Sequence, residues 1–261
     1  MLTALRLDAA VAAQNGVTRS QARGLIMSGR VRVNGIPATK PGANVRADSI
    51  VDVVRAKAYV SRGGEKLEHA LDSFNIDASD VQALDIGAST GGFTDCLLSR
   101  GAAAVTALDV GYGQIAWRLR NDPRVTVVER CNFRNVCDDA FPRGFDLIVI
   151  DTSFISVLTI LARARAFLRP DGAIIALVKP QFEAGRERLG SGGVVRDPKV
   201  HRAVLHEVCN GASALSLVPA RLTSSPLLGP AGNREFLLLL VLRGAALNDA
   251  SIEAVVAAPL A

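Results

Sequence analysis

The chain opens with two stretches of helical spacing. Leu7, Val11 and Ala12 recur as one face of a first helix, and Ala22, Leu25 and Ile26 do so on a second, from Arg19 to about Ser28. Thr18 or Ser20 can cap that helix and Gly29 can stop it. The period then falls to two. Val31-Arg32-Val33 alternates, Asn34-Gly35 is the turn pair of a tight hairpin, and Ser49 to Val54 reads as a further strand. Beyond residue 60 short apolar runs alternate with helical segments: Ala83 to Ile86, Val105 to Leu108, Val125 to Val128, Phe145 to Ile150 and Ala173 to Val178. Phe236 to Leu242 is the most apolar run and reads as a buried strand opened by Arg234 and Glu235; a closing helix is expected near Ile252 to Ala257. This alternation predicts an α/β, Rossmann-like, doubly wound sheet. The expected organisation is a small α+β domain over residues 1–55, a linker over 56–64 and the α/β domain over 65–261. Gly185 to Arg196, rich in glycine and arginine, is expected to form a mobile loop.

No run reaches the roughly 18 apolar residues of a membrane-spanning helix. Arg6 and Asp8 interrupt any leader-like core, so a cytoplasmic protein without a membrane partner is expected. Cys96, Cys131, Cys137 and Cys209 make no CxxC pair, and His69, His201 and His206 are scattered; reduced thiols and no metal site are expected. Charge is unevenly placed. Residues 1–60 carry nine basic side chains and three acids, a net +6 in a chain of net +5, which leaves −1 for the remaining 201 residues. A basic small domain beside a near-neutral large one points to a polyanionic partner. Arg19 and Arg23 lie four apart on one helix face. With Arg6, Arg30, Arg32 and Arg62 they are the candidate side chains for that partner's phosphates, RNA-binding residues if the resemblance that follows holds. The runs Arg6-Leu7-Asp8, Arg19-Ser20-Gln21-Ala22-Arg23 and Gly29 to Gly35 resemble the RNA-binding module first described in the fourth protein of the small ribosomal subunit. That module normally binds structured RNA.

In the larger domain, strand Ala83 to Ile86 runs into Gly87-Ala88-Ser89-Thr90-Gly91-Gly92 and then a helix from Phe93. The glycines let the backbone turn sharply and approach a ligand. About twenty residues on, Asp109 ends the second strand, where an acid can bind both hydroxyls of an adenosine ribose. The loop is neither GxGxxG nor a P-loop. Asp85-x-Gly87 with Asp109 suits S-adenosylmethionine better than a nicotinamide dinucleotide. Val110 and Asp151 join the expected donor site, and Asn132 can contact the adenine. Lys66, Asp151, Lys179 and Glu235 supply two ammonium and two carboxylate groups near one sheet edge. Transfer of a methyl group to a ribose hydroxyl needs such a set, because the hydroxyl is a poor nucleophile that must be oriented in line with the sulfonium methyl. Trp117, near Ile115 and Leu119, is expected in the core. Tyr112 either covers the donor or occupies a turn, and His69 is expected on a helix face without a chemical role.

Tyr59 to Leu67, Leu84 to Cys96, Asp109 to Gln114 and Gly229-Pro230 to Phe236 are similar to the TlyA family, ribosomal RNA 2′-O-methyltransferases related to the FtsJ type. The resemblance covers nearly the whole chain. It implies that Lys66, Asp151, Lys179 and Glu235 are the family's Lys-Asp-Lys-Glu tetrad. It also implies a cytidine ribose in ribosomal RNA as substrate, on one or both subunits, and a link to capreomycin-type antibiotic sensitivity. Residues at both ends suit the dual-substrate type. Two departures stand out: Lys57-Ala58-Tyr59-Val60 replaces a linker that carries tryptophan in actinobacterial relatives, and Arg234 replaces an aliphatic residue. A monomer is expected, as no heptad argues for self-association. The alternatives are a membrane-active hemolysin, an older label for the family, and a non-catalytic RNA-binding ribosome factor. Within the enzyme reading base methylation is the runner-up: its carbon-directed form commonly uses a cysteine nucleophile near a proline, and Lys179-Pro180 has none adjacent.

Overall fold

A computed structural model describes residues 4–27, 29–46, 48–53, 59–141 and 144–259. The chain divides into two compact units, residues 1–58 and 59–261.

The first unit contains β1 (Ala4–Arg6), α1 (Leu7–Asn15), α2 (Arg19–Met27), β2 (Val31–Val33), β3 (Ile36–Ala38), β4 (Asn44–Arg46) and β5 (Val51–Val53). Strand β2 pairs antiparallel with both β3 and β5, and β1 pairs with β4. Leu7, Val11, Ala22, Ile26, Val31 and Val45 close its core. Thr18, not Ser20, caps α2. Its Oγ1 accepts the Gln21 N–H at 3.2 Å while Gln21 Oε1 accepts the Thr18 N–H at 2.9 Å, a reciprocal capping box. Gly29 (φ 70°) turns the chain out of the helix, and Asn34 (φ 51°) and Gly35 (φ 80°) take the left-handed conformations that the hairpin needs. Ser28 and Val54, expected at element ends, lie outside the described residues. Strands β1 and β4 went unpredicted.

The second unit contains α3 (Gly63–Phe74), β6 (Gln82–Ile86), α4 (Gly92–Ser99), β7 (Ala104–Leu108), α5 (Trp117–Arg120), β8 (Val125–Val128), β9 (Phe145–Ile150), α6 (Val157–Ala164), β10 (Leu168–Val178), α7 (Pro180–Glu183), α8 (Pro198–Ala214), β11 (Val218–Ser224), β12 (Phe236–Val241) and α9 (Asp249–Ala257). The sheet order is β11-β12-β10-β9-β6-β7-β8, with β12 antiparallel to both its neighbours and the remaining pairs parallel. Successive residues alternate between two cores. Leu84, Ile86, Ile148 and Ile150 face one side with residues of α6 and α8, and Ala83, Leu147 and Val149 face the other with residues of α3 and α4. β11 escaped the sequence reading because Pro219 and Arg221 break its apolar pattern. It is one of the two edge strands, where proline is tolerated.

Three local expectations change. Tyr59 and Val60, expected in the linker, are part of the larger unit: the Tyr59 hydroxyl donates to Glu68 at 2.7 Å and the Val60 N–H donates to Asp95 at 2.8 Å. A Cβ at Gly64 would sit 2.2 Å from the Tyr59 ring, so the glycine makes the notch that the ring fills. Trp117 is 78% exposed, whereas Ile115 and Leu119 are buried. On the four-residue α5, residues two apart point to opposite sides, and Leu119 takes the core side. The segment 185–196 is held at Arg188, Val194 and Val195. Arg188 pairs with Glu207 at 2.8 Å, Val194 and Val195 are buried, and the Val195 N–H donates to Asn233 Oδ1 at 2.9 Å. At the other end of the unit, Arg234 donates to the carbonyls of Val255, Val256 and Ala258 at 2.7, 2.7 and 2.8 Å. A cation there satisfies the last carbonyls of α9 and complements its dipole.

Candidate active site

The strand order reverses direction between β6 and β9. Open α/β sheets bind ligands beyond the carboxyl ends of the strands at such a switch point. Here the two chains leave the sheet in tight contact. A Cβ on Gly87, which has φ 87°, would lie 2.7 Å from the Asp151 carbonyl oxygen. Only glycine permits that approach. It brings the loop after β6 against the loop after β9, and two adjoining cavities open there.

The first cavity, of about 310 Å³, is lined by Lys66, Asp85, Asp151, Lys179 and Glu235, together with Ser61 to Gly63, Gly87 to Thr90, Gly92, Phe93, Ser153 and Pro230. All four residues of the expected catalytic set therefore converge on one space, as does Arg62. They arrive from four elements: Lys66 on α3, Asp151 after β9, Lys179 after β10 and Glu235 before β12. They form two lysine–carboxylate pairs of different character. Lys66 Nζ lies 2.5 Å from Glu235 Oε2, with side-chain exposures of 9% and 1%. Lys179 Nζ lies 2.7 Å from Asp151 Oδ1, an ion pair off the hydrogen-bonding axis, and Asp151 is 25% exposed. The directed hydrogen bonds of Lys179 go to the Thr152 carbonyl and to Ser153 Oγ, both at 3.0 Å.

The second cavity, of about 520 Å³, is lined by Ile86, Gly87, Ser89, Leu108, Asp109, Val110, Gln114, Cys131 to Arg134, Asp151 to Ile155 and Ile160. Its size is that of a small-molecule site. Asp109 Oδ2 accepts the Ser89 N–H at 2.8 Å and Oδ1 accepts the Gly111 N–H at 2.7 Å, so this acid braces both loops at the mouth. Asn132 Oδ1 accepts the Arg134 N–H at 3.2 Å. Asp151 and Ser153 line both cavities, at their junction.

Asp85 is wholly buried. Thr94 donates twice to its Oδ2, from N–H at 2.9 Å and from the hydroxyl at 2.6 Å, while Oδ1 has no hydrogen-bond partner among the described residues. Burial pushes its pKa up to about 7, helped by the nearby Asp151 charge and opposed by the Thr94 bonds. An orphaned carboxylate oxygen at a cavity wall is built for a cationic ligand group. The ammonium of a methionine moiety fits it, and an adenosine ribose suits Asp109.

The FtsJ-like methyltransferase family matches residues 59–242, and the S4 domain matches residues 5–51. A Mycobacterium tuberculosis protein named 16S/23S rRNA (cytidine-2′-O)-methyltransferase TlyA is 46% identical over 239 residues, covering 90% of this chain and 89% of its own. The chain belongs to the TlyA family.

Other similar proteins are named hemolysins. Hemolysin A of Brachyspira hyodysenteriae is 39% identical, covering 89% of this chain and 98% of its own. A solved structure from Streptococcus thermophilus, provisionally named a hemolysin, is 40% identical with a TM-score of 0.76, covering 98% of this chain and 96% of its own. Among the described residues no helix is long and apolar enough to cross a membrane, and no group of three or more His, Cys, Asp or Glu is placed to hold a metal.

The remaining candidates sort by position. Ala88, Thr90 and Gly92 line the first cavity, and Ser89 lines both. Gly91 lines neither. A Cβ there would meet Leu119 at 2.4 Å, so it serves packing against α5. Tyr112 is an exposed turn residue beneath the Arg130 guanidinium, 4.1 Å from the ring centroid, and lines neither cavity. His69 bonds Thr223 Oγ1 at 3.2 Å on the flank of α3, away from both cavities. Sequence reasoning missed Ser61, Ser153, Phe154 and Phe133. Ser153 and Phe154 had a signal, since they follow Asp151 at a strand's carboxyl end. Phe154 is 89% exposed in a left-handed backbone (φ 64°), its ring 5.1 Å from that of Phe182.

Proposed function

We propose that this chain is an S-adenosylmethionine-dependent enzyme that methylates the 2′-hydroxyl of a cytidine ribose in ribosomal RNA. The convergence of two lysine–carboxylate pairs beside a donor-sized cavity carries the reading, and the family's named activity supports it. The donor would span the junction of the two cavities, its ammonium at Asp85 Oδ1 in the first, its ribose at Asp109 and its adenine among Val110 and Asn132 in the second. When bound, it supplies an electrophilic methyl group on a sulfonium.

The rest of the chemistry belongs to the protein. The ribose hydroxyl enters the first cavity at Lys179 Nζ, which exchanges its bond to Ser153 Oγ for the incoming oxygen and fixes that oxygen's lone pair. As the oxygen takes the methyl group its proton passes to the Asp151 carboxylate, which stands at the junction of the cavities beside Lys179. Lys66 and Glu235 neutralise one another and hold the wall of the cavity, and Arg62 meets an RNA phosphate. Phe154 offers an exposed ring on which a splayed-out base can stack. Arg6, Arg19, Arg23, Arg30 and Arg32 of the first unit bind the RNA backbone, which positions the substrate without reading its sequence. Ribosomal subunits as substrate make the cytoplasm the place of action, and loss of the methyl mark lowers sensitivity to capreomycin-type drugs.

The test is methyl transfer from labelled donor to unmethylated small and large subunits, followed by nucleotide mapping. Wild type should place a 2′-O-methyl group on cytidine, and Lys179→Ala should lose on the order of 10²-fold or more in rate. Donor binding without transfer to either subunit would sink the substrate assignment. An unchanged rate in Lys179→Ala would sink the catalytic one.

A further inference from the structure

Asp8 stands in the first turn of α1, wholly shielded from solvent, in a unit whose charge is strongly positive. A buried carboxylate is tolerated when paired and hydrogen-bonded, and Asp8 is paired three times over. Arg6, at the end of β1, makes two parallel bonds to it: Nε to Oδ1 at 3.1 Å and Nη2 to Oδ2 at 2.9 Å. Arg19 Nη2 reaches Oδ1 at 3.0 Å and Arg23 Nε reaches Oδ2 at 3.2 Å, both from α2. These bonds hold the carboxyl well below the usual carboxylate range.

Each arginine gives Asp8 only part of its donor fork. The three side chains remain 49%, 57% and 57% exposed, open to an incoming anion. Three guanidinium groups converge here because an anion stands at their centre; without it they would repel one another and spread. The cluster keeps a net charge of two positives and fixes three flexible side chains in advance. Ordering such side chains is a cost that binding otherwise bears.

We propose that Asp8 is a positioning residue for RNA: it gathers Arg6, Arg19 and Arg23 into one preorganised phosphate-binding fan. The inference rests on the reading that this unit binds ribosomal RNA. It makes a prediction opposite to that of net charge. Removing a negative charge from an RNA-binding face ought to strengthen binding, whereas dispersal of the fan weakens it.

The experiment uses the full-length chain and transcribed small-subunit ribosomal RNA, with affinity measured across roughly 50–200 mM salt. Asp8→Asn is expected to bind roughly five- to tenfold more weakly, with a shallower dependence of log K on log salt. Binding as tight as wild type or tighter overturns the proposal. Circular dichroism checks that the variant is folded. Should it not be, Arg19→Lys takes its place, since lysine keeps the charge and loses the planar fork; wild-type affinity there overturns the proposal as well. A triple variant, Arg6→Gln with Arg19→Gln and Arg23→Gln, separates the two readings. If the triple variant binds like wild type, the RNA reading of this face fails and the proposal with it. If it binds weakly while Asp8→Asn does not, the positioning role fails alone.

Discussion

Asp8 and Asp85 are both aspartates without solvent exposure, one in each unit, and their surroundings are opposite. Asp8 meets three guanidinium groups and its carboxyl is held strongly acidic. Among the described residues Asp85 meets only the Thr94 hydroxyl and backbone N–H and keeps one oxygen without a partner, and burial pushes it up to about 7. A saturated buried acid organises the protein around it. An unsaturated one at a cavity wall awaits a partner from outside, and its desolvation is offset only when that partner arrives.

The contrast breaks most sharply at Asp85. Asp85→Ala should weaken donor binding by about 10–100-fold, the worth of one charged hydrogen bond, while Asp8→Asn leaves donor affinity unchanged. Calorimetric titration reads both, and a loss under about twofold for Asp85→Ala would remove the acid from the donor site.

Next in size is pH dependence. Donor affinity should rise about five- to tenfold from roughly pH 6 to 7.5 as Asp85 ionises, and Asp85→Asn should flatten the curve. Stability of the ligand-free chain has the opposite sign. Between the ordinary value of 3.8 and about 7 the folded state keeps a proton on Asp85 that the unfolded state has lost, so this contribution declines as pH rises through that window. For Asp8 the unfolded state takes up its proton first, so stability is lost as pH falls below 3.8. Thermal melts from pH 3 to 8 separate the two, and a second unit insensitive to pH between about 4 and 7 would contradict the burial argument.

Arg234 is a part-buried cation that lies between these extremes, since its partners are carbonyl dipoles and not ions. Burial lowers its pKa. Arg234→Met should cost about 1 kcal/mol through the lost cap on α9, visible in urea unfolding. An unchanged midpoint would mean that the packing of Ile252 and Val256 holds the helix unaided. The smallest effect is expected at Arg32, exposed on β2 and outside the Asp8 cluster. Arg32→Gln should weaken RNA binding only a fewfold and reduce the salt slope by about one ion. A loss as large as that of Asp8→Asn would erase the distinction between a clustered and an isolated arginine.

The sequence by itself determined the α/β alternation, the helix–hairpin pattern of the first unit, and the motifs that placed the chain in its family. Those are local signals: a period of 3.6 or 2, a turn pair, a glycine run after a strand. It also named Lys66, Asp151, Lys179 and Glu235, since three of them flank strand ends that the apolar runs mark. Pairing was decided only by the tertiary structure. Nothing in the spacing says that Lys66 meets Glu235, 169 residues away, while Lys179 meets Asp151. Nor does it say that Gly91 packs against Leu119 and lines neither cavity, that Trp117 turns out of the core, or that three arginines chosen for RNA share one buried acid. Those outcomes depend on which strand neighbours which and which helix face turns inward. Long-range packing sets them, and a residue's own neighbours in the chain do not carry that information.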